Sequence, residues 1–166
     1  MSSKAEPKRI EERANRTDEG TMSSGIGKVT TSQTLKGLRS QTRKPRVLIV
    51  DDSREIREYL SKLLEKHFSV TTAVDGRACI NKASADPPNC ILTDVIMPHL
   101  NGIDTIKLLR RDPKLGHIPI IAMSAYGNWG VAKAREAGAT IVMVKPLEPD
   151  DVIENIRKLV AESPVR

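Results

Sequence analysis

The sequence has few aromatic residues, few cysteines and no long hydrophobic run. No apolar run approaches the roughly 18 residues of a membrane span, and the N-terminus lacks the apolar segment of a signal peptide. We therefore expect no contact with a membrane and a cytoplasmic location. The two cysteines, Cys79 and Cys90, lack the spacing of metal ligands. We interpret both as small buried hydrophobic residues rather than as nucleophiles.

The excess positive charge is confined to the beginning of the chain. Residues 1–46 hold 11 of the 27 Lys and Arg residues and 5 of the 21 Asp and Glu residues, whereas 47–166 hold 16 of each. This beginning has no aromatic residue and only scattered aliphatic ones, a composition typical of disordered chain. We predict a solvated basic tail or tether. Binding of the tail to nucleic acid or to an acidic partner is the alternative.

Beyond the tail, short apolar runs alternate with segments of helical periodicity. The runs predict strands near 47–50, 69–73, 90–94, 118–123 and 141–144. The periodic segments predict helices near 53–67, 76–85, 103–110 and 128–137, with a last helix after residue 146. Five strand–helix units with short connections imply a parallel sheet that has helices on both faces.

Four of the apolar runs end in residues that can take part in chemistry. Asp51 and Asp52 follow the first run, Asp94 ends the third, and Ser124 and Lys145 follow the last two. The carboxyl ends of parallel strands share one edge of the sheet, where ligands bind in open α/β folds. The three carboxylates would repel one another unless a cation neutralised them. Oxygen ligands favour Mg²⁺ over zinc, because no His or Cys converges there.

The same residue types suit phosphoryl transfer. A carboxylate can attack phosphorus to form an aspartyl phosphate, and a metal, the Ser124 hydroxyl and the Lys145 ammonium would neutralise the phosphoryl oxygens. Taken singly, Asp94 could begin a loop, Ser124 could be a turn hydroxyl and Lys145 a solvated lysine. Their convergence on one edge favours phosphoryl transfer.

Residues 47–162 resemble the receiver domain of a two-component response regulator of the single-domain, chemotaxis-regulator type. The resemblance rests on Val47-Leu48-Ile49-Val50-Asp51-Asp52-Ser53, Leu92-Thr93-Asp94-Val95-Ile96-Met97-Pro98, Asn101-Gly102, Ser124-Ala125 and Lys145-Pro146. It implies a flavodoxin-like, doubly wound, five-stranded parallel sheet of order 2-1-3-4-5 with five helices. The chain would then divide into a disordered basic tail (1–45), a receiver domain (46–162) and a short C-terminal end (163–166).

The resemblance also implies a role for each site residue. Asp94 would accept a phosphoryl group from a histidine kinase or phosphotransfer protein, Ser124 would bind that group, and Lys145 would pair with it. The peptide bond between Lys145 and Pro146 would be cis. The Mg²⁺ ligands would be Asp51, Asp52, Asp94 and the backbone carbonyl of Ile96. The chain would signal to an unknown protein target and would not turn over an external substrate.

Two alternatives stay open, an aspartyl-phosphate hydrolase and a degenerate receiver that serves only as a binding module. We expect neither a cap module for a substrate pocket nor an effector domain after the last predicted helix, and therefore a stand-alone regulator or relay intermediate. The family often has an aromatic residue where this chain has Val142. The apolar Ile96 and the bulky Tyr126 predict a long-lived phosphorylated state, because they shield the acyl phosphate from water.

Overall fold

Five strands form one parallel sheet in the order β2-β1-β3-β4-β5 in the computed structural model, which describes residues 43–125 and 127–162. The strands are β1 (Arg46–Val50), β2 (Ser69–Ala73), β3 (Cys90–Asp94), β4 (Ile120–Ser124) and β5 (Ile141–Val144). The helices are α1 (Arg54–Leu64), α2 (Gly76–Ala85), α3 (Gly102–Arg111), α4 (Gly127–Ala137) and α5 (Pro149–Glu162). All four strand pairings are parallel. The predicted fold and strand order are therefore confirmed.

Side-chain caps fix where the first three helices begin. Ser53 precedes α1, Asp75 precedes α2 and Asn101 precedes α3, and a side-chain oxygen of each accepts the amide hydrogen of the residue three positions later. These are the residue types that satisfy the unpaired amides of a first helical turn. The caps therefore fix the point at which the chain enters a helix after each of β1, β2 and β3.

Two element boundaries differ from the predictions. The fourth strand begins at Ile120 rather than near 118, because Pro119 has no amide hydrogen to donate to a neighbouring strand. The first helix ends at Leu64 rather than near 67. The amides of His67 and Phe68 both donate to the Leu64 carbonyl at 2.9 Å, which closes the helix in a turn and leads directly into β2.

The core lies on both faces of the sheet, as the alternation of side chains along β1 requires. Leu48 and Val50 pack with α2, α3 and α4, whereas Val47 and Ile49 pack with α1 and α5 on the opposite face. All four side chains are buried.

The two cysteines belong to this core. Both are buried and free, and burial raises the pKa of the Cys79 thiol and of the Cys90 thiol to about 12. Each thiol is therefore protonated at neutral pH and poorly suited to act as a nucleophile.

The predicted tail lies outside the described residues except for 43–45, and so do Tyr126 and 163–166. The Lys44 ammonium donates to the Glu65 carbonyl at 2.8 Å, and the Pro45 carbonyl accepts the Ser69 amide hydrogen at 2.8 Å. The chain is therefore attached to the domain from residue 44 onward. Among the described helices, none combines the length and apolar character needed to cross a bilayer.

Candidate functional site

Three carboxylates meet at the carboxyl edge of β1 and β3. Asp51 and Asp52 directly follow β1, and Asp94 is the last residue of β3. One oxygen atom from each carboxylate lies within 4.8 Å of the other two. Asp51 is buried, Asp94 is partly buried and Asp52 is exposed, so the cluster has a buried floor and an open side.

Lys145 places one positive charge among these carboxylates. Its Nζ lies 3.2 Å from Asp51 Oδ2 and 3.2 Å from Asp94 Oδ2. The lysine directly follows β5 and forms a cis peptide bond with Pro146, as predicted. Three carboxylates and one ammonium leave two negative charges in excess, which are costly to hold so close together unless a cation joins them.

The two oxygens of Asp94 have different partners. The Val95 amide donates to Oδ1 at 2.8 Å, while Lys145 pairs with Oδ2. Burial raises the pKa of Asp94 above its usual range, Lys145 opposes this rise, and the Asp51 charge adds to it. The carboxylate is held in a fixed orientation, and its ionised form is less favourable than it would be in water.

A second layer of contacts fixes the connection between β1 and α1. The Ser53 amide donates to Asp51 Oδ1 at 2.9 Å. Arg57 Nη1 donates to the Asp51 carbonyl at 2.8 Å and to the Asp52 carbonyl at 3.0 Å. Sequence reasoning missed Arg57, because an arginine on a helix face is usually solvated and its spacing from the acids carries no recognised signal.

The other predicted site residues lie at the same edge. Ser124 ends β4 and is fully buried, and its carbonyl accepts the Lys145 amide hydrogen at 2.8 Å. Ile96 lies two residues after Asp94 in the β3–α3 connection, with 42% of its surface exposed. The geometry therefore joins Asp51, Asp52, Asp94 and Lys145 through side-chain proximity, with Ser124 linked to Lys145 through the backbone.

The donor set at this edge fits a hard divalent cation. The clustered atoms are carboxylate oxygens only, and their open side leaves room for the waters that Mg²⁺ keeps. A carboxylate that is oriented by a backbone amide and flanked by a cation and an ammonium can act as a nucleophile toward phosphorus. The arrangement is therefore suited to metal-assisted phosphoryl transfer.

Residues 47–157 match the family described as response regulator receiver domain. The chain belongs to this family. It is thus a receiver of two-component phosphorelay signalling, a class of signalling domains that bind Mg²⁺ at an acidic cluster. Receivers interact with histidine kinases or phosphotransfer proteins and with downstream targets.

Curated relatives of this receiver differ widely in size. Chemotaxis protein CheY of Thermotoga maritima is 36% identical over 118 residues, which cover 69% of this chain and 96% of that protein. Response regulator PleD of Caulobacter vibrioides is 33% identical over 116 residues, which cover 69% of this chain but 26% of that protein. Hybrid signal transduction histidine kinase D of Dictyostelium discoideum is 29% identical over 81% of this chain, which spans 9% of the relative.

Solved structures of receivers share the fold of this chain. Chemotaxis response regulator CheY4 of Vibrio cholerae gives a TM-score of 0.66 at 30% sequence identity, covering 70% of this chain and 98% of that one. The Francisella response regulator 1452 receiver domain gives a TM-score of 0.66 at 26% identity, covering 70% and 97%. The matched part is therefore close to a whole receiver in both structures.

Proposed function

We propose that Asp94 accepts a phosphoryl group from a phosphohistidine of a histidine kinase or phosphotransfer protein. The observation that carries the proposal is the fixed position of the Asp94 carboxylate, between the Val95 amide and the Lys145 ammonium. Of the three clustered acids, Asp94 alone ends a strand, whereas Asp51 is buried beneath it and Asp52 is exposed at the rim.

The proposed transfer breaks one bond and forms one. A carboxylate oxygen of Asp94 attacks phosphorus, and the new P–O bond forms as the P–N bond to the donor imidazole breaks. The electron pair of the P–N bond stays with the imidazole nitrogen, which leaves as a neutral ring when its other nitrogen carries a proton. The product is an acyl phosphate on Asp94.

Lys145 and Ser124 would stabilise the phosphoryl group from the side of β4 and β5. The Lys145 ammonium already lies 3.2 Å from the attacking carboxylate, so a phosphoryl group on Asp94 would meet this charge without a large movement. The residues that would hold Mg²⁺ are Asp51, Asp52, Asp94 and the Ile96 carbonyl. When bound, the ion supplies positive charge to the phosphoryl oxygens.

The proposal also covers the organisation of the chain. Residues 46–162 would form the receiver, with 1–45 as a basic tail and 163–166 as a short end. The receiver would act in the cytoplasm and pass its state to a target protein by direct contact, without turning over an external substrate. Tail binding to nucleic acid is the less favoured alternative.

Labelling with a small-molecule phosphodonor in the presence of Mg²⁺ tests the proposal. The full chain should acquire a base-labile phosphoryl label that is lost in Asp94→Asn and after the metal is chelated. Asp75→Asn is the matched control, because it makes the same chemical change at a carboxylate outside the cluster, and Asn caps a helix as well as Asp does.

Each alternative predicts a different result in the same assay. Persistence of the label in Asp94→Asn would show that another residue is the acceptor. Turnover of an added phosphomonoester would identify a hydrolase. If the chain is not labelled and turns over no phosphomonoester, the degenerate receiver is the remaining interpretation.

A further inference from the structure

One edge of the sheet is formed by β2. The Ser69 amide donates to the Pro45 carbonyl at 2.8 Å, which turns the backbone groups of residues 69, 71 and 73 toward β1. Alternate residues of a strand direct their backbone groups to opposite sides, so Val70 and Thr72 direct theirs away from β1. Such a row of outward amides and carbonyls is a template for pairing with another extended chain.

Lys82 on α2 reaches across this edge. Its Nζ donates to the outward Thr72 carbonyl at 2.6 Å. The Val70 amide, the Val70 carbonyl and the Thr72 amide have no hydrogen-bond partner among the described residues. The side chains of Ser69 and Thr71 are exposed beside them. The β2 edge, defined by the outward backbone groups of Val70 and Thr72, is therefore open to an added strand.

A groove of about 360 Å³ lies beside the β2 edge, between α1 and β2. Its lining residues are mostly basic or carry a hydroxyl group: Arg54, Arg57, Glu58, Ser61, Lys62 and Thr72. Arg54 donates to the Glu58 carboxylate at 2.8 Å, so these two residues contribute no net charge. Arg57 and Lys62 then give the groove two positive charges in excess, and Lys82 adds another at the edge.

The charged residues around the groove leave a positive excess in place. Helices α1 and α2 together carry five basic and two acidic residues, and β2 carries no charge. In the adjoining turns, Glu65 is followed by Lys66. Asp86 pairs with Arg46 at 3.3 Å, and Asp75, which caps α2, adds one negative charge. The surface around the β2 edge therefore keeps two positive charges in excess.

We propose that the β2 edge and the groove beside it bind an acidic, extended segment of a partner protein as an added strand. Backbone hydrogen bonds to Val70 and Thr72 would supply affinity, and side chains would supply specificity. Side chains of an added strand alternate between the two faces of the sheet. Carboxylates on the α1 face would meet Lys62, and carboxylates on the α2 face would meet Lys82, which would turn to them from the Thr72 carbonyl.

The sign of the charge disfavours the other chains that could pair with this edge. Residues 1–42 contain 8 basic and 5 acidic residues, so the tail would bring positive charge to a surface that is already positive. A second copy of the chain that paired through its own β2 edge would bring an identical basic groove. Like charges that face each other oppose binding, so charge complementarity favours an acidic partner.

Hydrogen exchange at single amides, followed by NMR on the full chain, tests the added strand. The probe is the peptide Thr-Glu-Glu-Thr-Glu-Glu-Thr with blocked ends, which places carboxylates on both faces of a strand. The amides of Val70 and Thr72 should exchange rapidly in the free chain, and about tenfold more slowly at a peptide concentration about ten times the dissociation constant. The Thr71 amide, which faces β1, should exchange slowly in both states.

Fluorescence anisotropy of the labelled peptide tests the contribution of charge. Lys62→Glu and Lys82→Glu should each weaken binding about tenfold. Lys114→Glu is the matched control, because it makes the same change at an exposed lysine in the α3–β4 connection and should leave binding unchanged. Arg57 is left intact because it also bonds to the Asp51 and Asp52 carbonyls. Circular dichroism verifies that each variant is folded.

A peptide that is N-methylated at alternate amides separates strand addition from simple attraction of charge. It keeps every carboxylate but cannot donate the hydrogen bonds of a strand, so it should bind at least about tenfold more weakly than the unmodified peptide. The same peptide with Lys in place of Glu keeps the strand-forming backbone and should not bind, because its charge has the same sign as the groove.

Four results would overturn the proposal. Equal binding of the N-methylated peptide, or equally tight binding of oligothymidylate, would show a general surface for polyanions such as nucleic acid. Unchanged affinity in both lysine variants would place the peptide elsewhere on the chain. Slow exchange of Val70 and Thr72 in the free chain would show that the tail or a second copy already covers the edge. No binding of the acidic peptide would show that Lys82 closes the edge to added strands.

Discussion

Gly102 provides a direct test of how precisely Asp94 must be held. This glycine is the first residue of α3, and its amide donates to the Val95 carbonyl at 2.9 Å, so the helix begins against the end of β3. A Cβ atom on Gly102 would overlap the Asp94 carbonyl oxygen and would lie 2.9 Å from the Asp94 carbonyl carbon and 2.9 Å from Val95 Cα. Backbone atoms cannot rotate away from this overlap as a side chain could.

The size of the clash sets the expected effect of Gly102→Ala. Carbon atoms in favourable contact are about 3.5–4.0 Å apart, so the two carbon contacts alone require a shift of at least about 0.6 Å, and the oxygen requires more. β3 is hydrogen-bonded on both sides by β1 and β4, so the β3–α3 connection and α3 should move. Overpacking of this kind costs about 1–3 kcal/mol of stability. A displacement of about 1 Å at a reacting group can lower a rate about 100-fold.

Two measurements on Gly102→Ala separate these effects. Urea unfolding gives the loss of stability, and the rate of labelling by a small-molecule phosphodonor at saturating Mg²⁺ gives the loss of function. Ile106→Val is the matched control, because this side chain on the same helix is fully buried and the change costs about 0.5–1.5 kcal/mol without touching the connection. We expect labelling about 100-fold slower in Gly102→Ala and unchanged in Ile106→Val.

The comparison can refute the reasoning in two ways. Labelling of Gly102→Ala at the wild-type rate would show that the backbone behind Asp94 can shift without consequence. Equally slow labelling in both variants would show that reduced stability, rather than displacement of the acceptor, limits the reaction.

Three further predictions follow from residues around the site. Asp94→Asn should be more stable than the wild type at pH 7 without Mg²⁺, because the pKa of Asp94 is raised in the folded state by burial. Urea unfolding measures the difference in the free energy of unfolding, which should vanish as the pH falls below about 3.8, where the carboxyl is protonated in the folded and the unfolded state. A variant that is less stable than the wild type at pH 7 would contradict this prediction. His99→Gly should be about 1–2 kcal/mol more stable than His99→Val, since the exposed His99 has φ 65°, and equal stabilities would refute this. Ile96→Asn should speed decay of the acyl phosphate about tenfold, a change of about 1.4 kcal/mol, by giving water a hydrogen-bonding partner; unchanged or slower decay would rule out shielding by Ile96.

The strands were accessible from the sequence because buried parallel strands are read from apolar runs, and every predicted run became a strand. Their order was implied by the resemblance to receiver domains. Boundaries were less accurate where a single backbone group decided the outcome. Pro119 shortened β4 through its missing amide hydrogen, and the turn at His67 and Phe68 ended α1 early. Such effects depend on which carbonyl accepts each amide hydrogen, and hydrophobic periodicity does not predict these partners.

Contacts between distant segments were not accessible from the sequence. Arg110 on α3 shows this most clearly: its guanidinium donates to the carbonyls of Gly116, Ile118 and Gly138 and to the Thr140 hydroxyl, at 2.8–3.2 Å. Burial lowers the pKa of this arginine. In the sequence it is one more basic residue near the end of an amphipathic helix, because its acceptors belong to the α3–β4 and α4–β5 connections. The same reason hid the groove between the β3–α3 connection and the beginning of α4, which Ile96, Ile103 and Trp129 line.

The composition of the site follows from strand register rather than from any local motif. β1 pairs with β3 so that Val50 lies beside Thr93, which brings Asp51 level with Asp94 at the next step. β4 pairs with β5 so that Ser124 lies beside Val144, and the next residue is Lys145. A slip of one residue in either pairing would move a side chain by about 3.3 Å and turn it to the opposite face of the sheet. The apolar runs oppose this slip, because the side chains of the shifted strand would leave the helices they pack against for those on the opposite face. The requirement to bury two faces of the sheet therefore also holds the carboxylates and the lysine within reach of one another.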